Sequence, residues 1–316
     1  MIQSIKQKII VIVGPTASGK SEWGVRLAKK INGEIISADS RQVYRGLNIG
    51  SGKITKKEMR GIPHYCLDIA SPRRVFTADN FKKFGERALK NILKREKTPI
   101  VLGGTGFYID VLLNRVSTAN VPPNQKLRKH LEKKSLAELF RILQKLDWER
   151  AKTIDRHNPR RLVRAIEILY SRKDIPLENL CAARLARAKQ FFSRKICVVN
   201  KGNIFSRQAL WIGIKRSPED LKKRIHQRLT RRLPGIIREV KKLHANGLSW
   251  KRLFDLGLEY RYGSLYLQKV LAREEMKKKL ETEIWHYARR QMTWWRRNKE
   301  INWVSNINEA QQFLNK

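Results

Sequence analysis

Acidic side chains are scarce in this 316-residue chain: 28 Asp and Glu stand against 69 Lys and Arg, a formal net charge of +41. The excess runs through the whole sequence instead of sitting in one tail, and such a field favours a polyanionic partner, most simply nucleic acid. Cysteine is scarcer still. Cys66, Cys181 and Cys197 are odd in number, far apart and without a C-x-x-C pair, so neither a disulfide framework nor a zinc site is expected and a reducing cytoplasm fits. Long apolar runs are missing as well. The first one, Ile9 to Val13, has five residues, too few for a signal peptide or a membrane span, so no membrane partner is expected. Neither an internal repeat nor a low-complexity tract stands out, and the length suits one large domain or two smaller ones.

The same five residues open the most informative stretch. Ile9 to Val13 is β-branched throughout with no polar alternation, the pattern of a parallel strand covered on both faces. Gly14-Pro15-Thr16-Ala17-Ser18-Gly19-Lys20-Ser21 follows and fits G-x-x-x-x-G-K-[ST], after which Glu22, Val25, Leu27 and Ala28 continue as a helix. The glycines let the backbone curl so that successive N–H groups point inward, and the helix start adds its positive dipole end. Such a socket takes a di- or triphosphate. Lys20 would supply a cation to it, and the Ser21 hydroxyl would ligate a bridging Mg²⁺.

Two further strands are expected to end on the same rim. Glu34 to Ser37 reads as a short buried strand followed by Ala38-Asp39-Ser40-Arg41-Gln42-Val43-Tyr44. In an open α/β sheet ligands sit beyond the carboxyl ends of the strands, so Asp39 should face the phosphate loop, where a carboxylate can take a proton or reach the metal through water. Capping of the next turn is the plainer alternative for Asp39. His64 and Asp68, on a brief strand between 61 and 72, read as structural groups. Phe81, Phe84, Ala88, Leu89, Ile92 and Leu93 recur at helical spacing within 76–97, a crossover to the strand Pro99 to Leu102. That strand ends in Gly103-Gly104-Thr105-Gly106-Phe107-Tyr108, with small residues and a hydroxyl where many nucleotide hydrolases carry a metal-binding aspartate. The missing aspartate argues against an ordinary ATPase.

These three blocks, 14–21, 37–44 with Gly46 to Lys53, and 103–108, together resemble the tRNA dimethylallyltransferase family, bacterial type, and weaker similarity continues to about residue 297. The resemblance implies transfer of a dimethylallyl group from dimethylallyl diphosphate to N6 of the adenosine just 3′ of the anticodon, with the loop holding the donor's diphosphate. Asp39 then matches the family's catalytic aspartate, Thr105 its active-site threonine, and Arg228 an arginine near the donor. Contacts with the tRNA anticodon stem-loop are implied for Asp39, Ser40, Arg41 and Gln42; for Arg160, Arg161, Leu162, Val163 and Arg164; for Tyr260 and Arg261; and for Arg289, Arg290 and Gln291. Two departures stand out: two extra residues separate Gly257 from Tyr260, and Ile284-Trp285 replaces a Thr-Arg pair. Trp294 and Trp295 offer either base stacking or core packing. No Cys/His finger follows.

The fold expected is an α/β one, a parallel sheet carrying the phosphate loop and flanked by helices, with a small all-helical domain inserted. The core's first part spans 1–115, the insertion 116–195, and its completion with basic C-terminal helices 196–316. Within the insertion Val121-Pro-Pro123 breaks the chain, after which Leu127, Leu131, Leu136, Leu139, Phe140, Leu143 and Leu146 recur at helical spacing. Leu210 to Ile214 returns to the sheet, and Ser217-Pro218-Glu219-Asp220 starts a helix with Leu221, Ile225 and Leu229 on its buried stripe. A cytoplasmic monomer is expected. Two other activities explain part of the pattern: a small-molecule kinase accounts for the loop and Asp39 but not the charge, and prenyl transfer to free adenine nucleotides leaves the basic second half without a use. A non-catalytic RNA-binding protein would account for the charge alone.

Overall fold

Alternate residues of Ile9–Val13 (β1) point to opposite faces: Ile9, Val11 and Val13 enter one apolar cluster, Ile10 and Ile12 another, and all five are buried. In this computed structural model, residues 8–119, 121–173 and 209–314 are described. With Gly33–Ser37 (β2), His64–Tyr65 (β3), Thr98–Leu102 (β4), Ala209–Ile214 (β5) and Asn302–Val304 (β6), β1 forms a six-stranded sheet in the order β3-β2-β4-β1-β5-β6. Every pairing is parallel, so β1, β2 and β4 all deliver their carboxyl ends to one rim.

Helix Lys20–Lys30 (α1) crosses from β1 to β2, and Ala78–Lys94 (α3) crosses to β4. Thr77 and Asn80 close a capping box that starts α3. Phe81, Ala88, Leu89 and Ile92 of its expected stripe are buried, whereas Phe84 is 40% exposed, because the stripe passes instead through Gly85, packed against Leu112. Between them lies Lys56–Met59 (α2), and after β4 comes Gly106–Leu112 (α4). The serine cap at Ser217 is seen accepting from Asp220 N, and the 28-residue helix it starts, Pro218–Ala245, buries Leu221, Ile225 and Leu229 as the spacing predicts. Trp250–Leu256, Leu258–Leu267 and Arg273–Trp295 complete this side of the core.

The chain divides into two compact units, Met1–Ser117 with Val199–Lys316, and Thr118–Val198. In the second, Gln125–Leu131 (α5), Leu136–Leu146 (α6), Trp148–Thr153 (α7) and Pro159–Lys173 (α8) surround Leu127, Leu131, Leu139, Leu143, Leu162 and Leu169. Leu136, read as part of the stripe, is 41% exposed: it opens α6 directly after the Ser135 cap. The expected boundary at 195/196 and the basic stretch 182–208 lie outside the described residues, as do Cys181 and Cys197. Cys66 is buried, and burial pushes its thiol up to about 12, so it is chemically quiet at neutral pH. Among the described residues no helix is long and apolar enough to cross a membrane.

Candidate active site

Three loops meet at the carboxyl rim of the sheet. The phosphate loop leaves β1 at Gly14 (φ +151°) and enters α1 at Gly19 (φ +94°), a conformation that favours glycine. The β2 and β4 loops are tied to each other: Ala38 N donates to Leu102 O at 2.7 Å, Thr105 N to Ala38 O at 3.2 Å, and Ser40 N to Thr105 Oγ1 at 3.1 Å. Their backbones touch so closely that a Cβ on Gly103 would lie 2.1 Å from Ala38 O. Gln291, from helix Arg273–Trp295, joins the first loop to the third. Its Oε1 accepts from Thr16 N at 2.8 Å, and its Nε2 donates to Gly104 O at 2.9 Å.

Together the loops enclose a pocket of about 420 Å³ lined by Lys20, Ser21, Asp39, Gln42, Ser51, Gly52, Gly104, Arg228 and Tyr287, among others. Lys20 Nζ donates to Pro15 O at 2.8 Å, and Arg228 Nη2 to Thr16 Oγ1 at 2.7 Å. Neither cation has a carboxylate within ion-pair distance among the described residues. Burial pulls the Lys20 ammonium down to about 8; Asp39 opposes that shift and Arg228 reinforces it. Burial likewise weighs against the Arg228 charge, while Glu259 supports it, and burial holds the Glu259 carboxyl above its ordinary value. The pocket is thus short of negative charge, the condition an anionic ligand corrects.

Asp39 caps the turn that follows it and still leaves one carboxylate oxygen open. Its Oδ1 caps the turn, accepting from Arg41 N at 2.8 Å and Gln42 N at 3.3 Å, while its other oxygen has no partner among the described residues. Thr105 Oγ1 accepts from Ser40 N next to it, and burial keeps the Tyr287 hydroxyl of the same pocket protonated. The Ser21 hydroxyl opens on the pocket at the helix start and also has no partner among the described residues. A hydroxyl beside phosphate oxygens, with waters filling the remaining positions, suits Mg²⁺, which keeps several waters and needs few protein ligands. Ser18, by contrast, is fully buried with its Oγ unpartnered, so it packs the loop's interior.

The residues assigned to tRNA contact divide sharply. Ser40, Arg41 and Gln42 lie half-buried on the rim, and Arg289 and Arg290 are exposed on their helix. Arg160 and Arg161 are exposed on α8. The other side chains are committed elsewhere. Leu162 is fully buried in the helical unit and Val163 packs against that core. Arg164 donates to Glu167 and, through Nη2, to Val121 O at 2.8 Å. Tyr260 is 1% exposed, its ring required by the core, and the Arg261 guanidinium lies 4.5 Å from the Phe254 ring. Gln291 spends its amide on the two loops. For Leu162, Tyr260 and Gln291 the side-chain assignment to RNA is therefore corrected: each positions the segment it belongs to. Trp295 is buried near Trp211, as one of the two readings for that pair requires, and Trp294 Nε1 donates to Asp110 Oδ2 at 2.9 Å. His64 and Asp68 are structural as read, bonding Ile62 O and Lys53.

Sequence reasoning passed over Tyr287, Arg231 and Arg232, which also line the pocket. Arg231 and Arg232 stand three and four residues beyond Arg228, and Tyr287 four before Gln291. Helical spacing from a residue already suspected was the available signal.

Comparison with known proteins follows the same lines. A family model described as IPP transferase matches residues 42–298. Among curated relatives, tRNA dimethylallyltransferase 2 of Treponema denticola is 40% identical over 95% of this chain and 97% of that protein, and tRNA dimethylallyltransferase 1 of Geotalea uraniireducens is 37% identical over 97% and 96%. Among solved structures, the tRNA isopentenylpyrophosphate transferase of Bacillus halodurans superposes with a TM-score of 0.66 at 30% identity, covering 98% of this chain and 95% of that one. A eukaryotic dimethylallyltransferase acting on tRNA superposes with a TM-score of 0.74 at 26% identity, over 97% and 77%.

Proposed function

The chain belongs to the IPP transferase family of tRNA dimethylallyltransferases, and on that premise we propose that it moves the dimethylallyl group of dimethylallyl diphosphate onto N6 of the adenosine just 3′ of the anticodon. The observation that carries this reading is the composition of the rim: Asp39 shares one pocket with Lys20 of the phosphate loop and with Arg228, neither of which has a carboxylate within ion-pair distance among the described residues, and Thr105 Oγ1 holds the Ser40 amide next to Asp39. The place after β4 where a nucleotide hydrolase keeps its metal-binding acid holds Gly103 and Gly104 instead, packed on Ala38 and Gln291.

In this reading the loop amides, Lys20 and Arg228 grip the donor diphosphate and stabilise the charge that builds on it as its bond to the allylic carbon breaks. Lys20, at about 8 in the free protein, becomes fully charged once the anion arrives. A Mg²⁺ held by Ser21 would add charge neutralisation at the same oxygens. An exocyclic adenine amine is a weak nucleophile, since its lone pair is delocalised into the ring. It attacks the carbon and must shed a proton, and in this reading the free oxygen of Asp39 accepts it. Thr105, with Tyr287 behind it, orients the acceptor or the diphosphate beside Asp39. Because a stacked base cannot enter such a pocket, the adenosine must be extruded from the anticodon loop. The exposed arginines and the +41 charge supply phosphate contacts for tRNA.

The test is to incubate the protein with dimethylallyl diphosphate, Mg²⁺ and either an anticodon stem-loop or AMP, and to weigh the products. A gain of one prenyl group on the stem-loop supports the reading. Modification of AMP alone overturns the substrate, and phosphate transfer from ATP with the isoprenoid untouched overturns the reaction.

A further inference from the structure

Ser51 and Gly52 line the pocket, and the loop that carries them is held by a carboxylate nearly two hundred residues away. Glu239, on helix Pro218–Ala245, accepts from three successive amides: Asn48 N at 2.9 Å, Ile49 N at 2.7 Å and Gly50 N at 3.0 Å. Tyr260 completes the clamp. Its hydroxyl donates to Glu239 at 2.9 Å and accepts from Ser51 N at 3.0 Å. Four consecutive N–H groups are therefore fixed by one carboxylate and one phenol, and burial keeps the Tyr260 hydroxyl protonated.

The same helix reaches the donor end of the pocket. Arg228, Arg232, Gly235 and Glu239 fall on one stripe, at spacings of four, three and four. Arg228 touches Thr16 of the phosphate loop, and Arg232 lies against Gly52, where an added Cβ would come within 2.5 Å of its Nη1. Gly235 receives Ile49, and Gly50 leaves room for the Tyr260 ring, 2.8 Å from a would-be Cβ. From Ser51 and Gly52 the connection runs inward: both carbonyls accept from Gln42 Nε2, at 3.5 and 3.4 Å, and Gln42 Oε1 accepts from Ser37 Oγ at 3.1 Å.

We infer that Glu239 and Tyr260 are positioning residues for the donor: they fix the loop 48–52, whose Ser51 and Gly52 line the pocket together with Lys20, and keep it in register with Arg228 and Arg232. The inference rests on the proposed function for the identity of the donor. Neither residue lines the pocket. Their loss should loosen the diphosphate site and leave tRNA binding intact.

The experiment compares Glu239→Gln, Tyr260→Phe and the double variant with the wild-type protein. Steady-state kinetics with dimethylallyl diphosphate and an anticodon stem-loop are run alongside calorimetric titration with inorganic diphosphate and thermal melts. Each single variant should raise the donor KM and the diphosphate Kd by about tenfold, the scale of a lost hydrogen bond to a charged group, with the stem-loop KM within about twofold. The double variant should fall well short of the product of the singles, because both act through one loop. Tyr260→Phe keeps the buried ring and serves if Glu239→Gln does not fold. Unchanged donor KM and diphosphate Kd, or donor and stem-loop KM rising together as the melting point falls, would overturn the inference. Should the wild-type protein transfer no prenyl group, it is the proposed function that fails, and the diphosphate titration still reports on the loop.

Discussion

The two ends of β2 treat charge in opposite ways. At its start, Glu34 is 1% exposed on its side chain and is closed in by Arg95, by Lys97 at 3.0 Å and by the Tyr65 hydroxyl at 2.8 Å. Burial alone would raise its carboxyl; the hydrogen bonds from Arg95, Lys97 and Tyr65 prevail and bring it down to about 2. Just past its other end, Asp39 leaves one oxygen unused, and Lys20 and Arg228, both half-buried, have no carboxylate within ion-pair distance among the described residues. A buried charge that serves only the fold is closed off on every side, since an uncompensated one is costly. Charge left open at that cost points to a ligand that completes it.

Replacing the open acid should have the largest effect. Asp39→Asn keeps the turn, because an amide oxygen still accepts from Arg41 and Gln42 N, so the protein should melt as wild type. Turnover should fall by roughly a hundredfold or more if the free oxygen takes the proton. Single-turnover rates with saturating substrates check it, and wild-type turnover would reduce Asp39 to a cap. Next comes Lys20→Ala, expected to raise the donor KM by about ten- to a hundredfold and to leave the stem-loop KM and the melting point nearly unchanged. A matching pH effect belongs to the wild-type protein: with Lys20 near 8 when the pocket is empty, donor binding above about pH 8 must take up a proton. Donor affinity should therefore fall as pH rises from 8 to 9, by less than tenfold, and Lys20→Ala should abolish that slope.

Much of the open end could be read from the sequence. A glycine loop, an aspartate after a short strand and a Gly-Gly-Thr turn are local signals, and α/β topology places all three on one rim. What stayed hidden was long-range. Nothing near Gln291 indicates that it bridges Thr16 and Gly104, and nothing near Glu239 indicates the three amides it holds, since both depend on helices returning from the far half of the chain. The closed end was equally illegible: Glu34 reads as an unremarkable strand residue until Arg95 and Lys97 are brought beside it.

That closed end supplies the third prediction, of smaller size and opposite kind. Glu34→Gln should cost about 1 to 3 kcal/mol of stability, measured by denaturant unfolding, and leave kcat and both KM values unchanged below the transition. The sign of its pH dependence follows from the lowered carboxyl. Glu34 contributes stability above its unfolded value of about 4.5, and that contribution drains away as pH falls from there through about 2. In Glu34→Gln this part of the acid limb should be missing.

The smallest effects should separate the arginines of α8, where the same distinction recurs within five residues. Arg164 resembles the closed end: Glu167 is 1% exposed on its side chain and takes Arg164 together with Arg128 and the amide of Asn124, an arrangement that fixes the start of α5. Arg160 resembles the open one, exposed on the first turn of the helix with no partner among the described residues. Arg160→Ala should thus weaken stem-loop binding only a few-fold and lower the slope of log affinity against log salt by about 1, with the melting point unmoved. Arg164→Ala should do the reverse, leaving the salt slope intact and lowering the melting point by stripping a buried carboxylate of one of its two cations. If Arg164→Ala instead reduced the salt slope and Arg160→Ala did not, a guanidinium bonded to Glu167 and Val121 would be the one that meets RNA, and the absence of a partner would no longer mark a binding group in this protein.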